Sequence, residues 1–180
     1  MKRCFWVDEK SPLYIKYHDE EWGVPKYGDR ELFELLILES FQAGLSWLTV
    51  LKKREAFRAA FDNFEVKIVS EYNEKKVEEL LKNENIIRSR GKIMAAICNA
   101  KIFLNIQKEF GSFSKYIWGY TKGKIVKRTG ENLPVSTPLS DKISKDLKSR
   151  GMKYVGTVII YSYLQAIGIV DDHDLDCFKY

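Results

Sequence analysis

Residues 148–157 read Lys-Ser-Arg-Gly-Met-Lys-Tyr-Val-Gly-Thr, and they are the part of the sequence most informative about the fold. Glycines stand at positions 151 and 156, and the apolar residues Met152 and Val155 lie between them. Because glycine adopts positive φ angles and allows close backbone approach, the stretch is predicted to form a tight turn. Helical patterns flank it on both sides, so the sequence predicts two helices joined by a hairpin.

The flanking helices differ in character. The first is basic, is capped by Ser140 or Asp141, and ends near Ser149, whereas the apolar second helix runs from Thr157 to about Ile167. N–H groups of the hairpin and of the second helix's start would form an anion site suited to a DNA phosphate. That predicted site involves Gly151, Met152, Lys153 and Gly156. An ordinary turn between helices, with glycine caps, explains the same residues equally well.

Helical periodicity dominates the rest of the chain. One helix begins at Asp29, a plausible N-cap, a second spans 46–54, and a third starts near Gly91. Cys98 lies beside the apolar face of the third helix and is predicted to be a core thiol. Residues 121–138 are rich in Gly, Lys, Thr and Pro and are predicted to form a long connection. Without convincing period-2 strands or repeats, the predicted fold class is all-α.

Composition is that of an ordinary globular protein. The 180 residues are 45% hydrophobic and 31% charged, with a net charge of +5, which permits a polyanionic partner without requiring one. The three cysteines suggest a reducing compartment. Aliphatic runs such as Leu35–Leu38 are far too short to cross a membrane, and the first residues lack a signal peptide's apolar stretch. We therefore expect a cytoplasmic protein with no membrane association.

Both histidines are matched by a cysteine near the same end of the chain. Cys4 accompanies His18, and Cys177 accompanies His173. Two thiolates and two imidazoles form a ligand set that tetrahedral Zn²⁺ favours, and a filled shell leaves no position for substrate. Such a zinc ion would tie the start of the chain to its end. The amino-terminal spacing is loose, so four unrelated polar residues near the termini remain the alternative.

A carboxylate continues the apolar stripe of the helix that begins at Asp29. Glu39 follows this stripe, where burial is costly unless the group is paired or binds a ligand; otherwise the helix ends there and Glu39 faces water. Residues 42–47 predict a bend with Trp47 at its exit. Aromatic clusters usually form core, yet rings around a buried acid would suit a flat, electron-poor heterocycle. The first 22 residues supply Trp6, Tyr14, Tyr17 and Trp22.

Several motifs, in order along nearly the whole chain, carry a family resemblance. They include Cys4-Phe-Trp, the stretch Tyr-Ile-Lys-Tyr-His-Asp-Glu-Glu-Trp-Gly-Val-Pro at 14–25, and Leu-Glu-Ser-Phe-Gln-Ala-Gly-Leu-Ser-Trp at 38–47. Residues 86–93, 150–156 and 172–177 continue the match. The chain resembles type I 3-methyladenine DNA glycosylases of the helix-hairpin-helix superfamily. The resemblance implies a single glycosylase domain over 1–180, built from two closely packed helical lobes whose termini are tied by zinc.

The resemblance also implies an activity and residue roles. A bacterial monomer would release free 3-methyladenine from alkylated double-stranded DNA by hydrolysing the N-glycosidic bond. Glu39 matches the acid that contacts the base, Tyr17 its hydrogen-bonding tyrosine and Trp47 the stacking indole. The implied pocket wall is Trp6, Tyr14 and Trp22, and the implied zinc ligands are Cys4, His18, His173 and Cys177. The alternative function is a non-catalytic, zinc-stabilised helix-hairpin-helix module that binds DNA.

Some positions keep two interpretations. Asp171 falls where the wider superfamily has a catalytic aspartate, but type I relatives have asparagine there. We expect a local cap next to a zinc ligand, with an auxiliary electrostatic role as the alternative. Leu45, at the helix bend, is the candidate wedge that enters the DNA stack. The side chains of Arg88, Arg90 and Lys92 either touch phosphate or cap a helix.

Overall fold

The structure is a computed structural model, and it describes residues 1–127 and 133–180. These residues are mostly helical, so the all-α prediction is confirmed. The α-helices of the described part are α1 Pro12–Glu20, α2 Asp29–Gln42, α3 Trp47–Lys52, α4 Arg54–Ala60, α5 Val66–Ser70, α6 Glu74–Lys82, α7 Arg90–Phe110, α8 Phe113–Gly119, α9 Pro138–Ser149 and α10 Thr157–Ala166. A 3₁₀ turn at Asp62–Phe64 joins α4 to α5. None of these helices has the length and hydrophobicity that a membrane crossing requires.

Helix α2 is the central element. It packs against α3, α7, α8 and α10, and every residue from Leu32 to Phe41 is buried. A helix that is buried on all sides has no solvent face for its polar residues. The carboxylates of Glu34 and Glu39 therefore lie in the protein interior.

The start of α2 corrects one sequence prediction. Gly28, not Asp29, is the N-cap, and Asp29 is the first helical residue. The Asp29 carboxylate instead accepts hydrogen bonds from the backbone N–H groups of Phe113 and Ser114, each at 2.8 Å. Asp29 thus caps α8, a partner about 85 residues away that helical periodicity could not reveal.

The predicted connection over 121–138 contains a short strand. β1 (Val126–Lys127) pairs in parallel with β2 (Val170–Asp171), which follows α10. This pair fixes the connection beside the segment that carries Asp171 and His173. Residues 128–132 of the predicted connection lie outside the described residues.

Helices α9 and α10 lie where the sequence places them. The N-cap of α9 is Thr137, three residues before the predicted Ser140, which completes a capping box with it. Across the hairpin, the Thr157 hydroxyl donates to an Asp141 carboxylate oxygen at 2.6 Å, and the Ser144 hydroxyl donates to the carbonyl of Val155 at 2.7 Å. The two helices are therefore fixed to each other by side chains as well as by packing.

Cys98 is less buried than expected. It lies on α7 at the edge of the core, half-buried, with its thiol 3.7 Å from the carbonyl oxygen of Gly151. Cys98 therefore packs against the core, as predicted, but is not fully buried within it.

Candidate functional site

A small cavity opens between the amino-terminal segment, α2, α3 and α10. Its volume is about 160 Å³, and its walls are mainly aromatic. It brings together the six residues that the resemblance assigns to base binding, which come from three separate parts of the sequence. These residues are Trp6, Tyr14, Tyr17, Trp22, Glu39 and Trp47.

Glu39 is the acidic residue among the described residues that line this cavity. It lies one turn before the end of α2, is 3% exposed, and burial raises the pKa of its carboxyl group to about 8. Its Oε2 atom has no hydrogen-bond partner within residues 1–127 and 133–180. Because α2 continues to Gln42, the alternative in which the helix ends at Glu39 is wrong. A buried carboxylate without a partner is costly, so this atom marks a ligand position.

Two aromatic residues flank the acid. The rings of Tyr17 and Trp47 lie 5.5 Å apart at 49°, and both side chains are buried. The indole Nε1 of Trp47, like Glu39 Oε2, has no partner in the described part of the chain. Burial, with Glu39 nearby, raises the pKa of Tyr17 well above its usual value, so its hydroxyl stays protonated and can donate.

The other wall of the cavity joins it to the chain's two histidines. The Trp6 ring lies 5.1 Å from that of Tyr14 and 4.9 Å from that of Trp22. Behind them, Trp6 contacts His18 at 5.4 Å, and Trp22 contacts His173 at 4.7 Å, both edge to face. The positions of these indoles therefore depend on the positions of the imidazoles.

A candidate metal centre connects the two ends of the chain. Ligand atoms of Cys4, His18 and Cys177 lie within 4.8 Å of one another, and all three residues are buried. The two thiols also accept backbone N–H groups, from Asp174 at 3.4 Å and from Lys179 at 3.5 Å. Thiol sulfurs beside an imidazole, held by N–H donors, fit a soft divalent cation such as zinc.

His173, the fourth predicted ligand, lies beside this group without being part of it. Its ring centroid is 5.3 Å from that of His18, and its Nδ1 bonds Asp171 Oδ1 at 2.7 Å. His18 makes the matching contact from Nδ1 to Asp19 Oδ1, also at 2.7 Å. In both rings the carboxylate occupies Nδ1 and leaves Nε2 as the potential ligand atom. Asp171 thus contacts His173, as expected for a cap, and does not line the cavity.

A glycine allows the approach of His173. Gly23 has φ of +75°, and a Cβ atom there would lie 2.7 Å from His173 Cε1. Any larger residue would force the imidazole out of its place. The residue type at position 23 is therefore restricted by its contact with His173, near the carboxyl-terminal end of the sequence.

The hairpin differs in detail from the predicted anion site. The N–H groups of Gly151, Met152 and Lys153 donate to Lys148 O, Leu147 O and Asn99 Oδ1, at 2.8–3.0 Å. These three donors are therefore used inside the molecule. The donors that remain for an anion are later, on the segment 154–158 that leads into α10 through Gly156. Lys153 and Tyr154 expose their side chains beside it.

Three basic residues and the wedge candidate have clear positions. The Lys92 ammonium donates to the carbonyls of Phe41 and Ala43 at 2.9 and 2.6 Å, so it caps the end of α2. Arg90 pairs with acids of α6, and Arg88 lies 3.6 Å from Glu84. Leu45 is 42% exposed in the turn between α2 and α3.

Four further residues line the cavity and were not predicted. Two of them, Ser162 and Gln165, stand one turn apart on the otherwise apolar α10. Two polar residues at this spacing in a mostly apolar helix were the sequence feature that could have predicted their place in the cavity wall. The other two are Gln42, inside the 38–47 motif, and Leu133.

Comparisons with known proteins agree on one family. Residues 6–180 match the family described as methyladenine glycosylase. The curated DNA-3-methyladenine glycosylase 1 of Escherichia coli (strain K12) is 46% identical over 183 residues, which cover 100% of this chain and 97% of the relative. The corresponding Haemophilus influenzae protein, DNA-3-methyladenine glycosylase, is 42% identical over 97% of this chain and 96% of its own length.

Solved structures agree with the sequence comparisons. A crystal structure of 3-methyladenine DNA glycosylase I superposes with a TM-score of 0.94 at 49% identity, covering 98% of each chain. A Staphylococcus aureus structure, which addresses 3-methyladenine recognition by that enzyme, superposes with the same TM-score at 39% identity over 99% of this chain and 96% of its own.

Proposed function

Because this chain belongs to the methyladenine glycosylase family, we propose that it hydrolyses the N-glycosidic bond of 3-methyladenine in alkylated DNA. The reaction releases the free base and leaves an abasic site. The matches to methyladenine glycosylases confirm the family resemblance that the sequence motifs indicated. The acting unit is a single glycosylase domain over residues 1–180, in which two helical lobes flank the cavity, and it acts as a monomer.

One observation supports the base-binding role above all others. Glu39 Oε2 and Trp47 Nε1 are both buried and unpartnered in the described part of an aromatic cavity. A flat ring with an exocyclic amine suits this cavity, because its amine donates to the Glu39 carboxylate and its face stacks on the Trp47 indole. The cavity is recessed between helices and lined by buried side chains, so the lesion must leave the DNA stack to reach it.

The chemistry needs little from the protein. N3-methylation makes the adenine nucleoside cationic, so its glycosidic bond is weak and the neutral base leaves readily. The cationic nucleoside lowers the pKa of Glu39 and so favours its ionised form, which hydrogen-bonds the base and offsets its positive charge. The neutral Tyr17 hydroxyl makes a second hydrogen bond, and Trp47 stacks. Water then attacks the developing sugar cation. Positioning and electrostatics lower the barrier, and no nucleophilic side chain is required.

DNA is held on the face that carries the hairpin. The backbone donors of 154–158 grip a phosphate, and the exposed Lys153 adds charge around them. Leu45, exposed at the turn between α2 and α3, enters the space that the flipped nucleotide leaves. This assigns the helix-hairpin-helix role to α9 and α10.

Zinc is structural in this proposal. Cys4, His18 and Cys177 hold it, with His173 as the fourth ligand through Nε2. Such a shell leaves no open position for substrate, so the metal joins the two termini and supports Trp6 and Trp22. Removing it with a chelator should lower the melting temperature by many degrees in calorimetry. An unchanged melting temperature after complete removal contradicts the structural role.

The test of function is release of base from methylated DNA. Wild-type protein should liberate 3-methyladenine, and Glu39→Gln should reduce the rate at least about 100-fold, because the charge that stabilises the cationic base is lost. Glu71→Gln, which changes an exposed acid, is the matched control and should be unaffected. Release at the wild-type rate by Glu39→Gln contradicts the role of Glu39. DNA binding by the wild type without release of base supports the non-catalytic alternative.

A further inference from the structure

Behind the α10 wall of the cavity lies a group of hydrogen-bonded side chains, which we call the polar relay. It consists of Tyr161, Gln165 and Asp172. Gln165 lines the cavity and is only 8% exposed, and its amide nitrogen donates to Asp172 Oδ2 at 2.7 Å. The same carboxylate oxygen accepts the hydroxyl of Tyr161. Asp172 is itself 3% exposed, so this arrangement is buried together with the cavity wall.

The relay fixes which way the amide faces. An amide group has one donating end and one accepting end, whereas a carboxylate only accepts. If the Gln165 amide turned over, its oxygen would face Asp172 Oδ2, and two acceptors would meet in a buried site. The amide nitrogen is therefore held by Asp172, and the amide oxygen is left over. Among the hydrogen bonds within residues 1–127 and 133–180, the Gln165 side chain takes part only in the one to Asp172, through its nitrogen.

We infer that Gln165 determines specificity by accepting a hydrogen bond from the exocyclic amine of the bound base, and that Asp172 is its positioning residue. This inference rests on the proposed function. Adenine carries a donating amine at the position where guanine carries a carbonyl oxygen. A fixed acceptor in the wall favours the first and repels the second, so the relay selects 3-methyladenine over 3-methylguanine.

Glu39 alone does not provide this selection. Burial raises the pKa of its carboxyl group to about 8, so near neutral pH it can be a protonated donor as well as an ionised acceptor. A carboxyl group that can either donate or accept a hydrogen bond can pair with the amine of adenine or with the carbonyl oxygen of guanine. The exocyclic amine has two N–H groups, so one amine can serve both Glu39 and Gln165.

The decisive variant is Asp172→Asn. Its side-chain amide can present either end to Gln165, so the Gln165 amide is free to turn over and to offer a donor to the cavity. Affinities for free 3-methyladenine and free 3-methylguanine would be measured by tryptophan fluorescence. Wild-type protein should prefer 3-methyladenine, and Asp172→Asn should reduce the ratio of the two affinities about tenfold.

Two variants and two measurements separate positioning from stability. Gln165→Leu removes the acceptor and should also reduce the ratio, whereas Glu71→Gln, at an exposed position outside the cavity, should preserve it. Zinc content and melting temperature would be measured for every variant, because Asp172 is next to His173.

The results of these measurements distinguish failure of the inference from failure of the proposed function. An unchanged ratio in Asp172→Asn, with both affinities reduced equally or not at all, overturns the inference while wild-type binding still supports the proposed function. A slower excision rate with an unchanged ratio also overturns it, since that result would place Gln165 at the sugar or the water. Wild-type protein that binds neither base contradicts the inference and the proposed function together.

Discussion

Two buried carboxylates on α2, five residues apart, have opposite surroundings. Glu34 accepts from Arg54 Nε at 2.6 Å and from Arg58 Nε at 2.9 Å, whereas Glu39 Oε2 accepts from nothing in the described part of the chain. Burial by itself would raise the pKa of Glu34, but the hydrogen bonds and charges of the arginines outweigh it and hold that pKa below its usual value. For Glu39 burial acts alone, and the pKa rises to about 8.

The difference in hydrogen-bond partners distinguishes an acid that stabilises the fold, Glu34, from an acid that is available to bind a ligand, Glu39. The Glu34 cluster consists of Glu34, Arg54, Arg58 and Glu21. It also ties α2 to the C-cap of α1, since Arg54 Nη1 donates to Glu21 at 2.7 Å. Every charge of that cluster has a partner within the protein, so the cluster has nothing to bind. Glu39 lacks such compensation, and a cationic or amine-bearing base would supply it. Burial alone therefore does not identify a functional carboxylate; burial without partners does.

Glu34→Gln should have the largest effect on stability. It leaves the buried guanidinium of Arg54 without its charge partner on α2, which should lower the free energy of unfolding by about 3–5 kcal/mol. Urea unfolding at neutral pH measures the change. Glu55→Gln is the matched control, because Glu55 also pairs with Arg58 but is exposed, and it should cost under about 1 kcal/mol. Equal losses in the two variants would remove the distinction between the cluster and the surface.

The two acids should change the free energy of unfolding in opposite directions as pH rises: the contribution of Glu39 should decrease and that of Glu34 should increase. The folded protein binds the Glu39 proton more tightly than the unfolded chain, so the contribution is full below about pH 4.5 and is lost as pH rises through about 8. This loss should reach about 5 kcal/mol over the whole range. The pKa of Glu34 is lowered, so its contribution is present above its unfolded pKa and is lost in acid.

The measurement is the free energy of unfolding between pH 5 and pH 9, for wild type and Glu39→Gln. The wild-type curve should fall relative to the variant's, because glutamine does not titrate. Parallel curves would mean that Glu39 is not the unpaired carboxyl that the cavity indicates.

Arg30→Ala should have the smallest effect. Arg30 approaches Glu34 Oε2 at 3.4 Å, but its side chain is 47% exposed, so solvent screens the pair. We expect a loss of about 0.5 kcal/mol in urea unfolding. A loss above about 2 kcal/mol would show that Glu34 needs a third guanidinium, and that Arg54 and Arg58 do not compensate its charge by themselves.

Sequence patterns predicted one of these acids and missed the other for a physical reason. Glu39 continues the apolar stripe of α2, so helical spacing placed it in the interior. Glu34 lies off that stripe, and it is buried only because α2 has neighbours on all sides. Its partners Arg54 and Arg58 follow 20 and 24 residues later, a separation that no local pattern reports.

Sequence patterns were enough to predict the helices, the hairpin, the aromatic residues around Glu39 and the thiols and imidazoles near the two ends. These follow from periodicity, glycine placement and residue chemistry, which act over a few neighbouring positions. Three contacts became evident only in the folded protein: Asp29 caps α8, Lys92 caps α2 and Asp172 accepts a hydrogen bond from Gln165. Each of these contacts joins elements that are adjacent only after the chain has packed, because burial leaves a polar group no partner except the one that packing provides.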